Sequence, residues 1–297
     1  MFSVQADQLA RVTAAMSTDI RRRAEDLVEL WLRAHACLVY LLLYIPIAVV
    51  IIYAFNDSRL VAVWEGFTTH WFGDALQDVT VVRSLENSLK VASVNSVLAT
   101  SFGLAAALAL RRLPPRLKFV FESIVYATLV TPEVVVAMAS LIFFVRAGVP
   151  LGLPTIIATH AVWNTSVVTL LVRARLAGMD RTLEEASFDL GASPWRTFRQ
   201  VTLPLLMPAV LAGLLLSFTF SFDDFVLSFF VSGPGSTTLP VKIFSTLRFG
   251  VSPITNALSA MILGFTLTVV FLAQYLLRQE GGTAVPRSVE RVEYRST

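Results

Sequence analysis

"EEASFDLGASPWRTFRQVTLPLLMP", residues 184–208, is a polar stretch punctuated by prolines that lies between long apolar runs. Its glutamates and arginines are too polar for hydrocarbon, while the runs on either side are too apolar for water. A chain with that alternation crosses a membrane, returns to water, and crosses again.

The rest of the sequence has the same character. Of 297 residues, 55% are hydrophobic and only 15% charged, well outside the balance of a soluble domain. A bilayer core of roughly 30 Å takes about 20 apolar helical residues. Six stretches fit: Ala36–Phe55, Val91–Leu110, Ser123–Val145 (carrying Glu133), Val149–Val172 (carrying His160 and Asn164), Val201–Phe222 (ending at Asp223 and Asp224) and Ile254–Leu277. The fold class predicted is all-α and polytopic. A segment 1–35 precedes the six-span domain 36–278, and a tail 279–297 follows it.

Basic residues set the orientation, because Lys and Arg stay on the cytoplasmic side. Of the 24, 18 fall in the N-terminal segment, the loop after the second span (Arg111, Arg112, Arg116, Lys118), the loop after the fourth (Arg173 to Arg199) and the tail. Both termini and the island are therefore expected in the cytoplasm. The basic balance is a topology signal and not a nucleic-acid footprint. The first 35 residues lack a leading apolar core, so no cleavable signal is expected. Ile20, Ala24, Leu27 and Trp31 recur at helical spacing beside Arg21 to Arg23, which suits either a helix in the headgroup layer or a solvated tail.

Catalytic signals are missing. None of the lysines Lys90, Lys118 and Lys242 follows a glycine, so there is no phosphate-binding Gly-Lys loop. His35, His70 and His160 stand far apart and open no metal-binding helix, and Cys37 is alone, so no zinc site or disulfide framework is expected. Two catalytic carboxylates would have to converge on one water, whereas Asp223 and Asp224 on a helix diverge by about 100°; this weighs against an intramembrane aspartyl enzyme. An ion channel would leave the island without a purpose.

Within the island, Thr182 and Glu185 have capping-box spacing, which predicts a helix over Leu183–Leu190 stopped by Gly191, with Leu183, Ala186 and Leu190 on one face. Ser193 as N-cap and Pro194 at the first helical position predict a second short helix, and Pro204 and Pro208 a turn into the fifth span. Two short cytoplasmic helices with small residues at Ala186, Ser187 and Gly191 form a knob suited to docking.

This stretch resembles the EAA loop of ABC importer permeases: Glu185-Ala186-Ser187, three residues, Gly191, nine residues, then Val201-Thr202-Leu203-Pro204. Ser187 for Ala and Val201 for Ile are its departures from the pattern. Ser217–Ser259 is similar to the corresponding region of spermidine/putrescine importer permeases; permeases for opines and aminoethylphosphonate share much of the frame. The resemblance implies a type I importer permease in the bacterial inner membrane, working by alternating access. Residues 180–204 would be its coupling loop, with Glu185, Ala186, Ser187, Gly191, Leu203 and Pro204 seating in a cytoplasmic ATPase. Its implied partners are a second permease, two ATPase subunits that bind the ATP and Mg, and a periplasmic substrate-binding protein. The chain itself would bind no cofactor.

Buried carboxylates give an independent indication of substrate. An acid at the centre of a span costs roughly 2.5–3.5 kcal/mol on insertion scales, so Glu133, Asp223 and Asp224 are expected to face an aqueous path. Counted from Phe119 and Pro204 along straight helices, Glu133 and Asp223 lie about 21 and 28 Å from the cytoplasmic ends, in the outer half of the bilayer. Acids at similar depth favour a cationic solute such as a polyamine, with Trp163 a candidate ring contact for an ammonium. One of Asp223 and Asp224 lines the path while the other pairs with the sister permease or caps the outer end; Glu133 lines the path or binds backbone freed at Pro132. His160 and Asn164, at i and i+4, read as interhelical hydrogen-bonding groups. Gly233-Pro234-Gly235 and a strand-like segment at 237–244 read as external, meeting a delivering protein or forming a plain loop.

Overall fold

Hydrocarbon offers no partner to a bare N–H or C=O, so each apolar run must satisfy its own backbone as a helix. The computed structural model describes residues 2–58, 63–248 and 252–281, with side chains over 26–58, 63–248 and 252–271. It is helical throughout: α1 (Phe2–Tyr53), α2 (His70–Gln77), α3 (Val79–Arg112), α4 (Pro115–Val130), α5 (Glu133–Arg146), α6 (Leu153–Ala177), α7 (Thr182–Asp189), α8 (Pro194–Thr197), α9 (Leu203–Asp223), α10 (Val226–Val231), α11 (Leu239–Leu247) and α12 (Pro253–Gly281). Among the described residues β-structure is limited to an isolated bridge between Asn56 and Phe67. Five helices are long and apolar enough to cross a membrane, and α4 with α5 makes a sixth crossing if that bent pair is one span.

The expected third span is not straight. α4 and α5 meet at 107° across Thr131-Pro132. Pro132 forces Thr131 out of the helical region (φ −64°, ψ 129°), which ends α4 and restarts the chain as α5 with Glu133 at its first position. Counting residues along a straight helix therefore misplaces Glu133, because the rise along α4 stops at Val130. The same proline logic separates α3 from α4 at Leu113-Pro114-Pro115, with Pro115 opening the new helix.

Two other expectations change. No turn occurs at Pro204: the helix is continuous over Pro194–Asp223, passing through a π turn at Phe198–Thr202. Pro204 lacks an N–H and its ring would press on the carbonyl four residues back; a turn widened just before it relieves both problems. Residues 237–244 are not a strand either. Leu239, Val241 and Ile243 alternate as a strand would, yet Pro240 sits in the first turn of α11, where its missing N–H costs nothing. The loop before α11 is tied down, since Asn87 Nδ2 of α3 donates to the carbonyls of Gly235 and Thr237, both at 3.0 Å. At the N-terminus the backbone helix α1 runs unbroken through residue 35, so segment and first span are one element. The side chains of Ile20 and Ala24, and the tail beyond 281, lie outside the described residues.

α3, α6 and α9 form the packed centre. Their contact faces are small or polar, while large apolar side chains such as Val97, Phe102 and Val162 are turned outward, the arrangement expected where the solvent is lipid. Val168 of α6 is wedged between two glycines. A methyl added at Gly103 of α3 would lie 2.6 Å from Val168 Cβ, and one at Gly213 of α9 3.1 Å from Val168 Cγ1. Ala107, Val172 and Leu206 complete the cluster below it. Gly103→Val is therefore expected to destabilise the helix packing by about 1–3 kcal/mol, read as a lower melting temperature and yield of the detergent-extracted protein. Gly73→Ala in α2, with nothing within 4 Å, is the matched control.

Candidate functional site

Two helix breaks bring acids together. α9 ends at Asp223, and Asp224 leaves the helix (φ −67°, ψ 127°), so the two carboxylates do not diverge as helical neighbours would. Asp224 instead caps the next helix: its Oδ1 accepts from the Leu227 N–H at 3.3 Å and its Oδ2 from the Ser228 N–H at 2.8 Å. His160 Nε2 of α6 lies 3.0 Å from Asp224 Oδ2, with both side chains at least 95% buried (1% and 5% exposed). The other ring nitrogen, Nδ1, is 2.7 Å from the Ser221 hydroxyl of α9. With Nε2–H donating to the carboxylate, a neutral ring takes Ser221's proton at Nδ1. His160 is thus an interhelical hydrogen-bonding group, joining α6, α9 and α10.

Asp223 and Glu133 are not locked in this way. Both are exposed. Asp223 accepts from Thr266 Oγ1 of α12 at 3.2 Å, a weak tie for a carboxylate. Glu133 opens α5, where the helix N-terminus favours negative charge, and its carboxyl interacts with that of Asp224. Glu133, Trp163, Asp223 and Asp224 all line one cavity of about 750 Å³, together with Asn164 and Phe220, and no lysine or arginine lines it. The Trp163 and Phe220 rings stand edge to face, 5.6 Å apart. Asn164 is buried and its Oδ1 has no hydrogen-bond partner, so it is not the interhelical bridge its spacing suggested.

The island builds the second site. α7 spans Thr182–Asp189 without the predicted capping box: Thr182 lies inside the helix, and Asp180 Oδ1 takes its N–H at 2.9 Å instead. Gly191 adopts φ +79° and ends the helix, passing its N–H to Phe188 O at 2.8 Å. Ser193 caps α8, accepting the Arg196 N–H at 3.4 Å. Ser187 of α7 meets the buried Thr197 of α8, oxygen to oxygen at 3.0 Å, which holds the two short helices together. Glu185 and Ala186 are exposed, Leu190 is 89% exposed, Leu203 follows the π turn, and Pro204 faces outward. Exposed apolar groups on a segment outside the hydrocarbon need a protein partner.

Sequence spacing missed the residue that anchors this knob. Glu184, next to the motif glutamate, points inward and takes two bonds from Arg111 at the end of α3 (Nη1–Oε1 3.0 Å, Nη2–Oε2 2.6 Å) and one from Thr202 in the π turn (2.8 Å). No local pattern predicts a pair 73 residues apart; the available signal was an arginine closing an apolar run beside an acid unclaimed by a cap. The Arg111 hydrogen bonds hold the Glu184 carboxyl below its usual 4.5 against the opposing effect of burial, and Thr202 adds to them. A depressed carboxylate stabilises the fold fully above its unfolded value and loses that contribution as the pH falls below it. A double-mutant cycle of Arg111→Ala and Glu184→Ala is expected to return a coupling of about 1–3 kcal/mol at neutral pH. The coupling should be unchanged down to about pH 5 and vanish once the pH falls through the depressed value.

Comparison with known proteins follows the same outline. Residues 99–279 match the family described as binding-protein-dependent transport system inner membrane component. The putrescine transport system permease protein PotI of Escherichia coli (strain K12) is 41% identical over 242 residues, covering 79% of this chain and 86% of PotI. The spermidine/putrescine transport system permease protein PotC of the same strain is 38% identical over 242 residues, covering 82% of this chain and 92% of PotC. A crystal structure of a bacterial ABC transporter involved in the import of the acidic polysaccharide alginate shares the fold, with TM-score 0.68 at 16% identity over 87% of this chain and 99% of that one. The chain therefore belongs to the binding-protein-dependent transport system inner membrane components, the permease subunits of ABC importers.

Proposed function

We propose that this chain is the permease subunit of an ATP-driven importer of polyamines such as putrescine and spermidine, forming half of the translocation path. The observation that carries the reading is the single cavity lined by Glu133, Asp223, Asp224 and Trp163 and by no basic residue. Asp224 is largely satisfied by His160 and the α10 N–H groups. Glu133, beside the Asp224 carboxyl, and Asp223, held only by Thr266, are then the two exposed acids that meet the two ammonium groups of a diamine, with the Trp163 ring offering its face to one of them. The likeness to PotI and PotC supports the same substrate class.

The partners follow from the family and from the exposed face of α7. A second permease completes the path, two ATPase subunits bind ATP and Mg and receive the coupling loop, and a periplasmic protein delivers the solute. Both termini lie in the cytoplasm, as the basic residues indicate. Chemistry at the nucleotide belongs to the ATPase subunits and not to this chain.

The test is ATP-driven uptake of labelled putrescine and spermidine into vesicles carrying the whole assembly. Asp223→Asn and Glu133→Gln are expected to lower uptake by about tenfold or more, the loss of roughly 1.4 kcal/mol of charge pairing, with assembly and ATP hydrolysis retained. Glu185→Arg is expected to leave the cavity intact and separate hydrolysis from uptake. A parent assembly that moves no polyamine, yet hydrolyses ATP in response to a binding protein loaded with another solute, would retain the importer and overturn the substrate.

A further inference from the structure

A second cavity, of about 630 Å³, lies between the end of α3, the inner face of α7 and the start of α8. Arg111, Arg112 and Arg181 line it, against a single carboxylate, Glu184. That carboxylate is occupied, since both its oxygens are taken by Arg111 and one also by Thr202. Arg112 and Arg181 have no ion pair or side-chain hydrogen bond among the described residues. The cavity thus sets three guanidiniums against one carboxylate, an excess of positive charge even though Arg181 also acts on Glu184 electrostatically, and it is graded in polarity. Leu108 and Ala109, from the last turn of an apolar run, line one part, and the arginines that follow them line the other. Trp195 at its rim is 68% exposed.

We propose that this cavity holds the phosphate of an anionic membrane phospholipid. A guanidinium matches phosphate with two parallel hydrogen bonds. Basic pockets between transmembrane helices at the headgroup level hold acidic lipids for this reason, and the apolar end of the cavity meets the glycerol and upper acyl carbons. Arg181, Glu184 and Phe188 share one face of α7, at helical spacing, whereas Leu183, Ala186 and Leu190 point away. The lipid site and the docking face are therefore on opposite sides of one short helix. The inference rests on the proposed function only for the leaflet concerned, the cytoplasmic one.

The test is native mass spectrometry of the permease, with the subunits that copurify, from detergent supplemented with phosphatidylglycerol, phosphatidylcholine or inorganic phosphate. The parent is expected to retain one phosphatidylglycerol in preference to phosphatidylcholine. Arg112→Gln/Arg181→Gln should lower that retention by about tenfold or more, Arg112→Lys/Arg181→Lys should keep most of it, and millimolar phosphate should not displace it. Equal retention of the two lipids by the parent overturns the proposal, as does undiminished phosphatidylglycerol in the glutamine variant. Displacement by phosphate would assign a free-anion site instead, and loss of a copurifying subunit with lipid unchanged would assign the arginines to a protein contact. Failure of the polyamine reading leaves this readout untouched, because no transport is measured.

Discussion

Every large-scale feature of this chain answers to one constraint: inside hydrocarbon, an unpaired polar group has no water to turn to. Apolar side chains gain nothing by burial there, because lipid is as apolar as a protein core. What holds α3, α6 and α9 together is close backbone approach, which is why glycines flank Val168 and why serine, asparagine and threonine occupy faces that a soluble protein fills with leucine. The same constraint dictates how charged groups are tolerated. Asp224 is buried, and it is surrounded by donors from two other helices.

The breaks in the helices matter as much as the helices. Prolines at 114, 115 and 132 end spans, since the residue before each is pushed out of the helical region. Each break frees backbone groups that must be satisfied and exposes a helix terminus that can be used. At the acidic corner, one break puts Glu133 at the start of α5 and the end of α9 puts Asp224 at the start of α10, so two helix N-termini hold acids at the wall of one cavity. Irregular backbone at membrane depth is tolerated where it lines such a cavity. The acids and the breaks are thus two parts of one arrangement.

Much of this was legible in the sequence because it is local. Apolar runs of span length, a serine before a proline, and a glycine after a short amphipathic segment each carry their structural meaning within a few residues. The acids at 133, 223 and 224 stood out for their cost alone. What spacing did not reveal depended on angles or on distant partners. Nothing local to Thr131-Pro132 gives the 107° bend, so a count along a straight helix placed Glu133 wrongly. Asp224 left the helix to cap α10, a choice decided by His160 sixty-four residues earlier. Arg111 and Glu184 find each other because α3 and α7 converge in space. At α11 a period-two pattern misled, and Pro240 was the better guide.

The unbroken helix from Pro194 to Asp223 has a mechanical meaning. Its 30 residues span about 45 Å, with the α7 knob at one end and the acidic corner at the other. Such a rod is a lever: a tilt of about 10° imposed at its α8 end sweeps its far tip through about 8 Å, more than the width of an ammonium group. The π turn at Phe198–Thr202 is the one irregular turn in that rod, and Thr202 within it is bonded to Glu184. The knob therefore holds the rod close to one end, and any small angular displacement there becomes a large one beside Asp223.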